Sequence, residues 1–540
     1  MGNKKRLAIL LVAIALLLSA CGGAATPAAT TAAPATTAAT TAKAATTAAA
    51  TTAATTAAAA TAAAEEKLAP YVIKYNLLSN EASEDKEAVE AAINKIIEPL
   101  INATIKFNMI TWGDWDSKAN VPLQAGEKVD ITFTADWWNY VRSVSQNQFL
   151  RLNDPASEYG DLIGTYGKDA ARELGPSFLK GAQIDGYNYS VPTNKELTVP
   201  GGYMYNKDLV EKYKIDITTI KNDDDIEPWL AMIKENEPAE IIPFITDGAW
   251  NRGPYCEIAT EASDFWMRND PLPDGSFDKT IYFVWEDPVY VAHLKKMHEW
   301  YTKGYIHPDA YLNNHDSGAI RKSGKFFFCD VVCKGYDIQS KEVEAMSGNP
   351  ELRLCEQQVQ ASVYITHHAG GSMLAIPYTS DDPARAMMYI NLMHSNVELI
   401  NTMVWGIEGR NYTRISDKQV KSDEVTPWIS KHGGPWTMGN QFIQWAGANE
   451  DPDKYEKLRT FSATGVPHIS LGFRFRRDAV DSEITAVKNV RDSMARSLRT
   501  GAVDPDVELP KMVEQMKAAG CEKIGEELRR QFEEFLSKQK

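Results

Sequence analysis

Val129-Asp-Ile-Thr-Phe-Thr-Ala-Asp-Trp-Trp-Asn139 decides the fold. Val129 to Thr134 reads as a strand of β-branched and aromatic residues, and Ala135 to Asn139 reads as a polar, aromatic loop at its carboxyl end. The same unit recurs upstream. Tyr71 to Leu78 is a strand. A helix follows from Lys86, capped by Ser83, with Ala88, Val89, Ala92, Ile93, Ile96 and Ile97 at helical spacing and Pro99 closing it. Ala103 to Ile110 is the next strand, and Ser117 to Gln124 a short helix. Strands alternating with helices predict a mostly parallel sheet with right-handed crossovers, which takes ligands at the carboxyl ends of its strands.

Farther along, Pro383 to Met393 and Ser482 to Leu498 read as helices, the second ended by Thr500-Gly501. Leu509 to Leu536 reads as two helices split at Gly520 or Gly525. The 476 residues from Glu65 to Lys540 carry no second low-complexity break. That is too much chain for one core and predicts two lobes.

The N-terminus has another character. Lys4, Lys5 and Arg6 precede an apolar run from Leu7 to Leu18, too short to span a bilayer comfortably and shaped like a signal-peptide core. Leu18-Ser-Ala-Cys-Gly22 resembles the bacterial lipobox. It implies a signal peptide over 1–20, removal before Cys21, and acylation (palmitate-type) of that cysteine. More than one acyl chain makes such an anchor stable. Residues 22–64 are Ala and Thr apart from Gly22, Gly23, Pro27, Pro34 and Lys43. This tract cannot bury a core. As a flexible coil, its 43 residues span about 40 Å.

The formal charge is −15, and the mature chain is three charges more negative once Lys4, Lys5 and Arg6 leave. An acidic chain is a poor partner for nucleic acid or anionic lipid. With Cys21 acylated, Cys256, Cys329, Cys333, Cys355 and Cys521 remain, an odd number that cannot all pair. Cys329 and Cys333 sit on the strand-like Lys325 to Cys333. Four residues along a strand cover about 13 Å, beyond the roughly 4.4–6.8 Å Cα spacing of a disulfide, so they read as buried thiols on one face.

Motifs for catalysis are missing from the sequence. Gly370-Gly371 and Gly433-Gly434 lack the lysine and spacing of a phosphate loop, and there is no Gly-x-Ser-x-Gly elbow and no HExxH. His293 and His298 fall on different helix faces, and His367-His368 reads as a satisfied loop pair. Asn222-Asp-Asp-Asp225 lacks the glycine and distal Glu of a calcium loop and reads as a solvated turn. No metal and no cofactor is expected. A carboxylate pair at glycosidase spacing stays open among 72 acidic residues.

The aromatic residues carry the functional signal. Thr111-Trp-Gly-Asp-Trp115 and Ala135-Asp-Trp-Trp-Asn139 directly follow strands, and Asp247-Gly-Ala-Trp-Asn-Arg252 follows the apolar Ile241 to Ile245. Trp405-Gly-Ile-Glu-Gly-Arg410 follows a helix, and Pro435-Trp436 lies in a Gly-rich loop. Planar rings stack on the C–H faces of sugars while neighbouring Asp, Asn, Glu and Arg meet hydroxyls. At least half of the 13 tryptophans are expected in the core.

With those stretches in hand, the chain resembles the family 1 extracellular solute-binding proteins, the receptors of ABC importers. It is most similar to the sugar-binding lipoproteins with a characteristic C-terminal domain of uncharacterised role. The resemblance runs through Val129–Asn139, Gly186–Pro192, Tyr203–Asp208, Ala319–Phe328 with Gly335-Tyr336, Gly371–Pro377, Asp382–Ala386, Trp405–Tyr412, Met438–Phe442, Leu471–Phe473 and Gly501–Pro505. It implies an α/β, two-lobed periplasmic-binding-protein-like fold, each lobe a mostly parallel sheet flanked by helices, joined by a hinge near 197–202 and 370–376. The N-terminal lobe would take 68–198 and 372–425, and the C-terminal lobe 199–371 and 426–540. The resemblance implies Asp136 and Trp137 from the first lobe, Trp250 and Tyr336 from the second, and Glu196 near the hinge as ligand-binding residues. Trp405 and Trp436 join them on their own sequence setting. The expected protein is a monomeric, non-enzymatic carbohydrate receptor on the extracytoplasmic face of the cell membrane. Its partners are an oligosaccharide and the permease subunits of an ABC importer. A surface glycoside hydrolase or a peptide receptor on the same fold are the alternatives.

Overall fold

Tyr71–Ser79 and Ala103–Thr111 pair in parallel over their whole length, Tyr71 opposite Ala103 and Ser79 opposite Thr111. The computed structural model describes residues 68–335, 352–448 and 450–539. The helix between these strands, Lys86–Ile101, buries Val89, Ile93 and Ile97 against Ile73 and Ile105. Each such side chain contributes about 1.5–3 kcal/mol when fully buried. Two details depart from expectation. Ser83 accepts from the Asp85 N–H (3.2 Å) and does not cap the helix. Pro99 lies inside the last turn, and the helix ends at Asn102, whose φ of 45° stops it.

The first sheet runs 103–111, 71–79, 131–134, 373–375, 190–192. The second runs 354–358, 201–206, 326–332, 242–245. Both mix directions. The last two strands of the first sheet run antiparallel to their neighbours, and in the second only 326–332 and 242–245 pair in parallel. The reason is topological: 201–206 and 373–375 flank the passages between lobes, and each enters its sheet from the opposite end to a strand that follows a crossover helix, while 190–192 pairs antiparallel with 373–375 and so runs the same way as 131–134.

The cores divide the chain accordingly. The first includes Ile73, Leu152, Leu374 and Ile390, and also Trp428 and Met438. The stretch 426–447, assigned from sequence to the second lobe, therefore packs with the first sheet. Its loops carry apolar residues that fill the space under the helix Val397–Trp405. A further core joins 256–294 to 473–532, with Met267, Trp285 and Leu294 meeting Leu498, Met512 and Leu528. The helices Asp481–Arg499, Pro505–Ala518 and Cys521–Lys538 form it, and Gly520 is the break between the last two.

The chain passes between the lobes at 193–200, at 359–372, and between the strand Ala446–Gly447 and Phe473, the third passage lying later than the boundary at 425 expected from sequence. Ser462 ties the three passages together. Its hydroxyl accepts from the Leu197 N–H (2.8 Å), and its carbonyl accepts from the Tyr364 hydroxyl (2.9 Å). Val363 and Tyr364 then pair in parallel with Val466 and Pro467.

His394 and His432 are buried, and burial pushes their pKa values down to about 3 and about 4. The His432 ring accepts at Nδ1 from the Gly434 N–H (3.1 Å), so Nε2 carries the proton donated to the Val404 carbonyl (2.9 Å). A histidine whose folded value lies below its unfolded value of about 6.5 is protonated first in the unfolded chain. Stability is therefore full above pH 6.5 and is lost as the pH falls toward 4. Thermal melts between pH 7 and pH 4 should show the loss, with a shallower slope for His432→Gln. Equal slopes for the two proteins would remove His432 from the explanation.

Candidate functional site: a cleft between two aromatic walls

Between the lobes lies a cavity of about 540 Å³, within the roughly 300–1,000 Å³ typical of small-molecule sites. Its first-lobe wall is a tryptophan stack. Trp112 lies parallel to Trp138 at 5.4 Å between ring centroids, and it also stacks near Trp436 (6.1 Å) and Trp137 (6.1 Å). Trp137 and Trp436 reach the cavity. Trp137 is 42 % exposed, rare for so large an apolar ring, and its Nε1–H donates to the Gly371 carbonyl (2.7 Å). That bond fixes the edge of the ring and leaves its face open.

The opposite wall carries Trp250, Tyr255, Trp266 and Tyr290. Trp250 lies flat on His293, with 3.9 Å between centroids and 7° between planes. Burial lowers the His293 pKa to about 4, and Nδ1 donates to the Asp223 carboxylate at 3.2 Å. Asp223 also accepts from the Arg252 Nε–H (2.6 Å), and Arg252 reaches Asp330 as well. Burial alone would raise the Asp223 pKa, but Arg252 and His293 outweigh it and hold the carboxyl far below its usual range. Asn222-Asp-Asp-Asp225, expected to be a solvated turn, is instead the start of the helix Asp223–Asn236, and its first carboxylate is buried in this network.

The floor comes from the passages between lobes. Glu196 accepts from Lys334 (2.6 Å) and lies 3.9 Å from Lys195. Burial pushes its pKa up, but the two ammonium groups more than reverse this and hold it at about 2. His367 and His368 sit on the short turn Thr366–Ala369 and both line the cavity. They are not the satisfied pair the sequence suggested, because the Nδ1 of each is buried without a partner. Burial lowers their pKa values to about 4 and about 3, so both rings are neutral at pH 7.

Of the residues singled out from sequence, Trp137, Glu196, Trp250 and Trp436 line this cavity. Asp136 does not. Its carboxylate is buried in an ion pair with Arg474, and its N–H donates to the Gly370 carbonyl (2.9 Å). Trp405 is a core residue at the end of its helix, 7 % exposed, with Nε1–H donating to the Trp445 carbonyl (3.2 Å). Tyr336 and Cys21 lie outside the described residues. Lys195, His367, His368, Trp266, Asn269 and Arg499 were missed; in sequence, only the Trp266 ring in Phe265-Trp-Met-Arg268 carried a signal of the kind used for the others. Cys256, Cys329, Cys333, Cys355 and Cys521 are all buried free thiols. Among the described residues no group of three or more His, Cys, Asp or Glu is placed to hold a metal ion.

Two lobes, a cleft between them and three tied passages form an architecture suited to closing on a ligand, and the chain is similar to extracellular solute-binding proteins of ABC importers. It is 28 % identical over 460 residues to a carbohydrate ABC transporter substrate-binding protein of Streptococcus pneumoniae serotype 4, covering 83 % of this chain and 88 % of that one. Among solved structures it is similar to the N-glycan transport solute binding protein NgtS of S. pneumoniae, with TM-score 0.75 and 25 % identity, covering 87 % of this chain and all of the other. The complex of that protein with Man5GlcNAc gives TM-score 0.64 at 25 % identity over the same coverage. Residues 469–537 match a domain of unknown function, DUF3502.

Proposed function

We propose that this protein captures an oligosaccharide in the cleft, closes on it, and delivers it to the permease of an ABC importer. One observation carries the reading. Among the described residues twelve buried side-chain polar atoms lack a partner, and five of them, on Thr198, Trp266, Asn269, His367 and His368, line this one cavity. Unpaired buried polar groups are costly, and a polyhydroxylated ligand supplies both donors and acceptors. The exposed Trp137 ring on one wall, with Trp250 and Trp266 lining the other, supplies the aromatic surfaces. The relatives named above are consistent with carbohydrate as cargo. Closure about the three passages would bring the walls together on the ligand, which shifts the population toward the closed form by its better fit there. The lipobox-like Cys21 supports a lipid anchor and the Ala/Thr tract a tether, with the protein acting as a monomer on the extracytoplasmic face.

Intrinsic tryptophan fluorescence screened against a sugar library should find a saturable ligand, with no reducing sugar released on incubation. A response to peptides alone would refute carbohydrate as cargo; released product would favour a hydrolase. With the ligand in hand, Trp137→Ala should weaken binding by about 10-fold or more through loss of the stacking face, at unchanged melting temperature. Unchanged affinity in calorimetry would remove Trp137 from the site.

A further inference from the structure

Charge is unevenly distributed over this molecule. The chain carries −15 overall, yet its cleft is lined by Lys195, Lys334 and Arg499 against Glu196 and Glu257. Glu196 is shared by two lysines, and its hydrogen bond goes to Lys334. Arg499 is occupied too: its Nε–H donates to the Tyr290 hydroxyl (3.1 Å), and its guanidinium lies over the Trp285 ring at 4.9 Å. Lys195 is left. Its side chain is 11 % exposed, its nearest charged atom is the Glu196 carboxylate at 3.9 Å, and it makes no hydrogen bond among the described residues. The neighbouring His367 and His368 present unpartnered Nδ1 atoms and no negative charge.

From this arrangement we infer that the cleft selects an anionic oligosaccharide and that Lys195 binds its acidic group. The inference rests on the carbohydrate reading above and narrows it. A neutral glycan offers Lys195 only hydroxyls. On closure it would leave the buried Lys195 ammonium with only a share of the Glu196 carboxylate as counter-charge, which is expensive. A carboxylate or phosphate on the sugar removes that cost. It forms a charge-assisted hydrogen bond with Lys195 and offsets a positive excess that Glu257, its pKa pushed up to about 7 by burial, balances only in part. The same geometry suits a recognition group rather than steering, since the outer surface is acidic and would repel a distant anion. Lys195 stands beside Gly371, whose carbonyl holds the Trp137 ring, so the acidic group would bind next to a stacked sugar ring. Burial lowers the Lys195 pKa, in accord with an ammonium that lacks a full counter-charge.

The test uses the full chain and matched pairs of glycans: lactose with sialyllactose, galactotriose with trigalacturonic acid, maltotriose with its 6-phosphate. Calorimetry should show at least one acidic member bound about 10-fold or more tightly than its neutral partner. The carboxylate and phosphate pairs identify which group is read. That preference should shrink as salt is raised and should vanish in Lys195→Gln. If Lys195→Gln fails to fold, the preference and its salt dependence in the unaltered chain decide alone. Neutral and acidic members bound equally, or a preference unchanged in Lys195→Gln, would overturn the inference and leave the carbohydrate reading standing. Binding of no member of any pair, where peptides do bind, would overturn both.

Discussion

Arg252→Met should lower the melting temperature by roughly 5–10 °C, because it strands two buried carboxylates. Arg252 is the cation shared by Asp223 and Asp330, and its side chain is 2 % exposed. Its guanidinium also lies over Tyr203 and Phe244, at 5.2 and 4.9 Å. Removing one partner of a buried pair costs about 3–5 kcal/mol, since the remaining charge keeps its desolvation penalty. The binding site should suffer with the fold. Asp330 accepts from the Asn251 N–H (3.0 Å), and Asp223 holds His293 beneath Trp250. The triple variant Arg252→Met, Asp223→Asn, Asp330→Asn should regain much of the stability, because no buried charge is left unpaired. Differential scanning calorimetry on the single and triple variants measures this. A single variant melting within 1–2 °C of the unaltered protein would show that the network does not carry charge as described.

Arg474→Met should be destabilising on the same scale, about 3–5 kcal/mol, and its effect should reach across the cleft. Arg474 belongs to the stretch matched by the domain of unknown function, yet its hydrogen-bond partners among the described residues are in the first lobe: the Asp136 carboxylate, the Gly181 carbonyl at 2.5 Å and the Gln183 carbonyl at 2.9 Å. Its guanidinium rests over Tyr140 at 4.9 Å. Asp136 immediately precedes the cleft residue Trp137, so freeing it loosens the loop that presents the ring. Hydrogen exchange at 136–139 should rise in Arg474→Met and fall back when Asp136→Asn is added. Unchanged exchange there would mean that the pair contributes nothing to the position of the loop.

Much of the fold was legible because its signals are local. The strands at 71–79 and 103–111 and the helix at 86–101 follow from apolar spacing alone, and Gly520 divides the last helices as its backbone freedom suggests. The first cleft wall was half legible: tryptophans after strand ends pointed to Trp137, and a Gly-rich loop pointed to Trp436. The same reasoning misplaced Trp405, because a residue in the last turn of a helix follows that helix's buried face, here shared with Met403 and Val404. Asp136 looked like a ligand contact, and only the fold reveals that Arg474, far along the chain, claims it. Lys195, Arg499 and the histidine pair were not legible at all. Their role depends on which other groups surround them, and those come from separate segments of both lobes.

The core shared by 256–294 and 473–532 bears on how this chain comes into being. The family match at 469–537 marks a unit of inheritance, but it is not a unit of folding. Met267, Trp285 and Leu294 wait for Leu498, Met512 and Leu528, which are synthesised some 200 residues later. The second lobe therefore stays unfinished until residues 498–532 have been made, whereas the first holds nearly all of its own core by residue 438. A ribosome-stalled chain ending before residue 473 would display one finished half and one exposed apolar face.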